Sequence, residues 1–236
     1  MRTVGIVGYK NSGKTTLARA LAQELVKRGR RVAAVKHSSE GIDFLGKDTA
    51  RLGEFADRVG FISPLESGVF WKKPLSLENM APYLEADVLL VEGFKAEKTF
   101  PKIVCLRGEP DDRDLFDGLA ICAVGPAHEG HEHVPHLSLD EIGGIADLVE
   151  EKAFKLPNLD CGSCGFETCY ELAREIVKGN RSVEDCTSLQ PITEVRIDGE
   201  LMPMNPFISS IVRNTILGTG LFSSKRPCNL WLSMVG

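Results

Sequence analysis

The 236-residue chain lacks any uninterrupted apolar run near the roughly 18 residues a membrane helix needs; its first, Val4 to Val7, meets Gly8 and Lys10 at once. A membrane partner is therefore not expected. A basic excess is also missing. With 28 Lys and Arg against 33 Asp and Glu, the formal net charge is -5, the wrong sign for a chain that neutralises many backbone phosphates. Nucleic acid is excluded as a main partner on that ground. Internal repeats, low-complexity tracts and a secretory signal are absent, so the chain is expected to be soluble, unprocessed and cytoplasmic. What the chain does have is enough apolar side chain for a core, 43% of residues, and seven cysteines, four of them between Cys161 and Cys186. Without a secretory signal, clustered cysteines favour metal ligation over disulfides.

Short apolar runs alternate with helical spacing along the first two thirds. Thr3 to Val7 is an extended run, and Leu17, Leu21, Leu25 and Val26 give one buried helix face within Thr15 to Arg28. Arg31 to Val35 follows as a strand, then a polar loop and a helix expected from Asp48 to Val59. Strands are expected at Phe61 to Ser63, Val69 to Trp71, Val88 to Val91, Ile103 to Leu106 and Leu119 to Val124, and a closing helix from Leu139 to Phe154. The alternation implies a mostly parallel sheet with helices on both faces. Beyond Pro157 the pattern breaks; Asp198-Gly199 marks a two-residue hairpin, and a helix is expected from Pro206 to Leu217.

Between the first strand and first helix lies Gly8-Tyr9-Lys10-Asn11-Ser12-Gly13-Lys14-Thr15, followed by Thr16. This is the G-x-x-x-x-G-K-[ST] pattern in its required context. Its glycines let successive N–H groups point into one concavity, the helix start adds positive potential, Lys14 offers a point charge to the outer phosphates and Thr15 a hydroxyl to Mg2+. Nucleoside triphosphate binding follows. The strand Val88 to Val91 ends in Glu92 and Gly93, which makes Glu92 the candidate acid for magnesium or for orienting water. Asp87 opens that strand and reads as a solvent-facing or capping residue.

The spacing Cys161-x2-Cys164-x4-Cys169-x16-Cys186 supplies four soft ligands, with Gly162 and Gly165 allowing tight turns. It matches neither ferredoxin spacing nor the paired C-x2-C of zinc ribbons. With Phe166, the following helix and Gly179 it resembles the small [4Fe-4S] module of corrinoid iron-sulfur and Rnf-type proteins, a resemblance that makes all four cysteines cluster ligands. Structural Zn2+, and free or disulfide cysteines, are the alternatives. Cys105 and Cys122 read as core thiols, and Cys228 has no assigned partner. The loop bearing His128, His131, His133 and His136, and the acidic run from Glu109 to Asp117, both read as solvated connections.

Four motifs in order resemble the MobB family, the GTP-binding adapters of molybdopterin-guanine dinucleotide biosynthesis. They are the phosphate loop, Val35-Lys36-His37, the loop with Ile42-Asp43 and Gly46-Lys47-Asp48-Thr49, and Leu90 to Lys95. The resemblance implies an α/β, P-loop NTPase-like three-layer sandwich, a homodimer, weak Mg2+-dependent GTPase activity and a partnership with molybdopterin guanylyltransferase, and with molybdopterin or a molybdenum or tungsten enzyme. By the same carry-over, Gly8 to Thr16 bind the nucleotide, Lys14 and Thr15 serve phosphate and magnesium, Asp48 the phosphate side or a magnesium water, and Glu92 the γ-phosphate. His37 stands without the second histidine usual in the family, because Ser38 and Ser39 follow it. No Asn-Lys-x-Asp stretch is present, so GTP over ATP rests on the resemblance alone. The expected organisation is residues 1–155 as the GTP-binding domain, 156–190 as the iron-sulfur module and 191–236 as hairpin, helix and tail. A P-loop small-molecule kinase, with Arg107 and Arg113 as its loop arginines, and a non-enzymatic redox-responsive nucleotide-binding module are the rival readings.

Overall fold

In the computed structural model, β1 (Arg2–Gly8) is the middle of a parallel sheet, which is why its residues from Thr3 onward are buried on both faces and read as one apolar run. The structure describes residues 1–38, 55–126, 133–189, 195–197, 200–205, 207–209, 211, 212 and 215. The chain falls into two compact units, 1–37 with 86–236, and 38–85.

In the larger unit β1 pairs with β5 (Val88–Glu92) on one side and β6 (Lys102–Cys105) on the other. β2 (Val32–Lys36) lies outside β5, and β7 (Ala120–Val124) and β8 (His136–Leu137) continue beyond β6. All five pairings are parallel. α1 (Lys14–Lys27) and α3 (Ile142–Lys152) cover one face, packing Leu17, Leu21, Leu25, Ile145 and Val149 onto Val4, Ile6, Leu90 and Ile103. Arg28 joins their ends, donating to Glu24, Asp147, Glu150 and the Gly143 carbonyl. On the other face Val7, Val104, Leu106 and Ala123 pack under Leu115 and Val134.

In the acidic run 109–117, Glu109, Asp111 and Asp114 are exposed as expected, but Asp112 is buried in this second layer and Asp117 half-buried. Pro110–Leu115 forms a 3-10 turn, and buried Asp112 accepts from the main-chain N–H groups of Arg107, Gly108 and Glu109 at 2.7, 2.9 and 3.2 Å. Burial raises the Asp112 pKa, but those N–H groups and Arg107 outweigh it and hold the carboxyl below its ordinary range. Asp117 receives Lys102 Nζ at 2.6 Å and Lys98 Nζ at 2.7 Å; Lys102 is 1% exposed and its ammonium also donates to the Lys95 carbonyl at 2.8 Å. Tyr170 donates its hydroxyl to the Asp117 carbonyl. His136, expected in a loop, lies in β8 opposite Ala123, while His128 and His131 are outside the described residues.

The smaller unit holds an antiparallel ribbon, β3 (Arg58–Ile62) with β4 (Ser67–Trp71), and a short helix α2 (Leu77–Met80) capped by Ser76. Two expectations change here. The helix from Asp48 does not reach Val59, since Arg58 and Val59 open β3, and both strands form a separate ribbon instead of joining the parallel sheet. The expected helix start at Asp48 lies outside the described residues. Apolar alternation makes a strand without choosing its neighbour; the Ser63 hydroxyl, accepting from the Leu65 and Glu66 N–H groups, closes this hairpin locally.

The cysteine segment belongs to the larger unit. Leu156 N–H donates to the Thr99 carbonyl, and α4 (Cys169–Val177) packs Leu172 and Ala173 with Leu119, Phe154 and Leu156. Thr168 caps α4 in a reciprocal box with Glu171. β9 (Arg196–Ile197) pairs antiparallel with β10 (Glu200–Leu201), in register with a two-residue connection, and residues 207–209, 211, 212 and 215 are helical as expected. No helix among the described residues is long and apolar enough to cross a membrane.

Candidate functional site

The phosphate loop leaves the carboxyl end of β1, where the chain runs from β1 toward β2 on one side and from neighbouring β6 toward β7 on the other, the place where open α/β sheets carry their crevice. Gly13 has φ 81° and sits at the N-cap of α1, with no side-chain cap, so the first-turn N–H groups remain free to face an anion. Gly8 is required for a different reason. A Cβ there would lie 2.3 Å from Ser12 Oγ and 2.7 Å from the Cys105 carbonyl oxygen, and the second contact is rigid backbone. Gly8→Ala should cost about 1–3 kcal/mol in urea unfolding as the loop is pushed off β6, and should weaken nucleotide binding; full stability would contradict the close approach.

Lys14 Nζ donates to the Tyr9 carbonyl at 2.5 Å, which folds the ammonium back over the loop. Ser12 Oγ is buried against Gly8 without a hydrogen-bond partner. Thr15 Oγ1 donates to Glu92 Oε1 at 2.8 Å, across 77 residues of sequence. Register brings them together: Ile6 pairs with Glu92, so the acid ends β5 beside the exit of β1. The hydroxyl and carboxylate are hard oxygen donors at the spacing of neighbouring magnesium ligands, and they fit Mg2+. Lys36 Nζ stands 3.8 Å from the same carboxylate oxygen. His37 donates its main-chain N–H to the Glu92 carbonyl and its ring lies 4.6 Å from that of Phe94. Asp48 is outside the described residues.

Sequence reasoning missed the cations around Tyr9. Lys95 Nζ sits 3.6 Å from the ring centroid and the Arg107 guanidinium 4.6 Å from it. Burial, then Lys14 and Arg107, push the Lys95 ammonium below its ordinary pKa. The motif ending in Lys95 was visible, but its pairing with Tyr9 is a long-range contact. Arg113 pairs instead with Asp114 at 3.9 Å and stays outside this group, which removes one of the two arginines the kinase reading needs.

The four cysteines 161, 164, 169 and 186 are unbonded thiols. Cys164, Cys169 and Cys186 border one apolar cluster and lie near enough for Cys169 and Cys164 to raise the Cys186 pKa, behind the larger effect of burial. Asp160 accepts from the Cys169 N–H at 2.6 Å, and the Cys161 sulfur is 3.3 Å from Ser188 Oγ. Positive φ at Asn158, Asp160, Gly162 and Gly165 curls the segment round them. Among the described residues no three His, Cys, Asp or Glu side chains converge as ligands of a single ion. Four thiols on a tightly turned segment are a soft donor set of the kind that suits an iron-sulfur cluster. Cys105 and Cys122 are core thiols as expected, with burial raising each pKa to about 12. Cys228 is outside the described residues.

Residues 3–124 match a family described as "Molybdopterin guanine dinucleotide synthesis protein B", MobB, and residues 156–188 one described as "Putative Fe-S cluster". A Methanocaldococcus jannaschii protein named "Putative molybdopterin-guanine dinucleotide biosynthesis adapter protein" is 31% identical, across 92% of this chain and 89% of its own length. That match is too long to omit the cysteine segment. The molybdopterin-guanine dinucleotide biosynthesis adapter protein of Haemophilus influenzae is 39% identical over 62% of this chain and 86% of its own. Among solved structures, the Bacillus subtilis MobB superposes with a TM-score of 0.55 at 26% identity, covering 65% of this chain and 99% of that one. A MobB homologue from Bacillus stearothermophilus gives 0.52 at 28%, covering 64% and 100%.

Proposed function

The chain belongs to the MobB family, and from that premise we propose that it is a GTP-binding adapter of molybdopterin-guanine dinucleotide biosynthesis with weak GTPase activity. The observation that carries this reading is the contact of Thr15 with Glu92 at the mouth of the phosphate loop. It supports a site for a magnesium-bound triphosphate, where main-chain N–H groups and Lys14 neutralise the outer phosphates. Thr15 and Glu92 would hold Mg2+, which supplies charge neutralisation across the β- and γ-oxygens. Glu92 is the candidate for orienting a water, a role that the family resemblance also offers to Asp48. Preference for GTP, molybdopterin guanylyltransferase as partner and a cytoplasmic location follow the resemblance to the family, and the relatives' names support the adapter role in molybdopterin-guanine dinucleotide biosynthesis.

Cys161, Cys164, Cys169 and Cys186 would hold a [4Fe-4S] cluster, which supplies a covalent staple to a segment with little core of its own. A homodimer is supported by the smaller unit taken alone, where Phe55, Ile62 and Leu65 are 94, 87 and 96% exposed and Val69 half so.

One preparation tests the reading. Protein purified without oxygen should carry about four irons per chain, bind GTP with magnesium, sediment as a dimer and raise product formation by molybdopterin guanylyltransferase. No effect on that enzyme would defeat the adapter role, and stoichiometric zinc would defeat the cluster.

A further inference from the structure

Lys95 is placed with more care than a solvated lysine needs. It follows Glu92 through Gly93 at φ 91° and Phe94 at φ 49°, and a bulky residue in the left-handed region is costly unless its surroundings enforce it. His37 enforces it from one side, its ring against Phe94 and its backbone where a Gly93 Cβ would go. On the other side the buried Lys102 ammonium, paired with Asp117, takes the Lys95 carbonyl at 2.8 Å. The main chain of Lys95 is thus fixed between the magnesium-side acid and the core, and its side chain is laid across Tyr9, the second residue of the phosphate loop.

Tyr9 gathers three cations: Lys14 at its carbonyl, Lys95 and Arg107 at its ring. Arg107 has acids of its own, Asp111 at 2.5 Å and Asp112 at 3.5 Å. Lys95 has no carboxylate within ion-pair distance among the described residues. Although Lys95 is exposed, partial desolvation and then Lys14 and Arg107 disfavour its charge in the absence of an anion, with Asp111 offsetting them only in part, so its pKa lies below the ordinary lysine value. A polyphosphate in the loop is the anion these charges suit, and the four-carbon stem of a lysine lets the ammonium swing from the ring face to an oxygen.

We propose that Lys95 is a second phosphate-binding cation, which meets the terminal phosphoryl group of the bound nucleotide and so sets the preference for triphosphate over diphosphate. This rests on the phosphate-loop reading above. Lys14 and the loop amides serve both nucleotides. Lys95 lies at Tyr9, the same residue whose carbonyl takes the Lys14 ammonium, so a second cation there would add to the charge facing the outermost phosphate, which the diphosphate lacks.

The test is calorimetric binding of GTP and GDP, each with magnesium, to the full chain and to Lys95→Gln, Lys95→Arg and Lys14→Ala. Lys95→Gln should weaken GTP about tenfold while moving GDP less than about twofold, the loss expected for one charge-assisted contact. Lys95→Arg should keep most of the GTP preference. Lys95→Ala repeats the comparison without the amide, and unfolding midpoints equal to wild type confirm that the loop is intact. An unchanged GTP to GDP ratio in both neutral variants, with Lys14→Ala still defective, overturns the role of Lys95 alone. Wild-type protein that binds neither nucleotide, or Lys14→Ala that binds as wild type, overturns the phosphate-loop reading and this one with it.

Discussion

Lys14→Ala should reduce magnesium-GTP affinity by at least about a hundredfold, roughly 3 kcal/mol, while leaving the unfolding midpoint near that of wild type. The two expectations separate because Lys14 contributes little to the fold. Its side chain is half-buried and donates to the carbonyl of Tyr9 in its own loop. Removing the ammonium also relieves Lys95, whose charge is disfavoured by Lys14 after burial. Any stability change should therefore be within about 0.5 kcal/mol, as for a substitution away from the core. Isothermal titration and urea unfolding of the same samples decide it. Retained affinity would mean that the anion is bound elsewhere.

Asp117→Ala should do the reverse, costing about 3–5 kcal/mol of stability, because it leaves Lys102 charged, 1% exposed and without its acid. Burial pushes the Lys102 ammonium down from its ordinary pKa and Asp117 only partly restores it. For Asp117, burial works toward a higher value, but the hydrogen bonds from Lys102 and Lys98 prevail and hold the carboxyl below 3.8. The sign follows. The folded state binds this proton less readily than the unfolded chain, so the Asp117 contribution is complete above about pH 4 and is lost as the pH falls through its lower folded value. Urea midpoints at constant slope should show the loss at pH 7, with the variant's deficit shrinking toward pH 3. Lys102→Met in the Asp117→Ala background should recover much of it, since an apolar side chain then replaces the orphaned charge. A loss under about 1 kcal/mol at pH 7 would show that water reaches Lys102. The same pair touches both ends of the unit: Lys102 anchors the Lys95 carbonyl near the phosphate loop, and the Asp117 carbonyl takes the Tyr170 hydroxyl next to Cys169.

Much of the site could be read along the chain because its parts are local. The phosphate loop needs a strand, a curl and a helix start within a few residues, and Gly8, Gly13, Lys14 and Thr15 declare it by spacing. The cysteine pattern declares itself likewise, since Gly162 and Gly165 turn the chain within the same short segment. The inner strands β1, β5, β6 and β7 were evident from apolar runs, because a strand buried on both faces has no polar alternation to hide it, whereas the two-residue β8, expected as loop, was not. β3 and β4 were recognisable as strands, yet their antiparallel pairing was not, as period-two alternation is silent about partners. Register alone brought Glu92 to Thr15.

Charge was where local reading failed. Asp112 and Asp117 look like members of a solvated acidic run, and only the packed chain supplies the N–H groups and ammoniums that let them be buried. Lys95 likewise gains its place over Tyr9 from a fold that returns β5 beside β1. The sequence determined which short segments can bind phosphate and metal, since conformations of a few residues are set by neighbours in the chain. Tertiary structure decided which charges are buried, which are paired and which face the phosphate loop, because electrostatic partners are chosen by distance in space and by the exclusion of water.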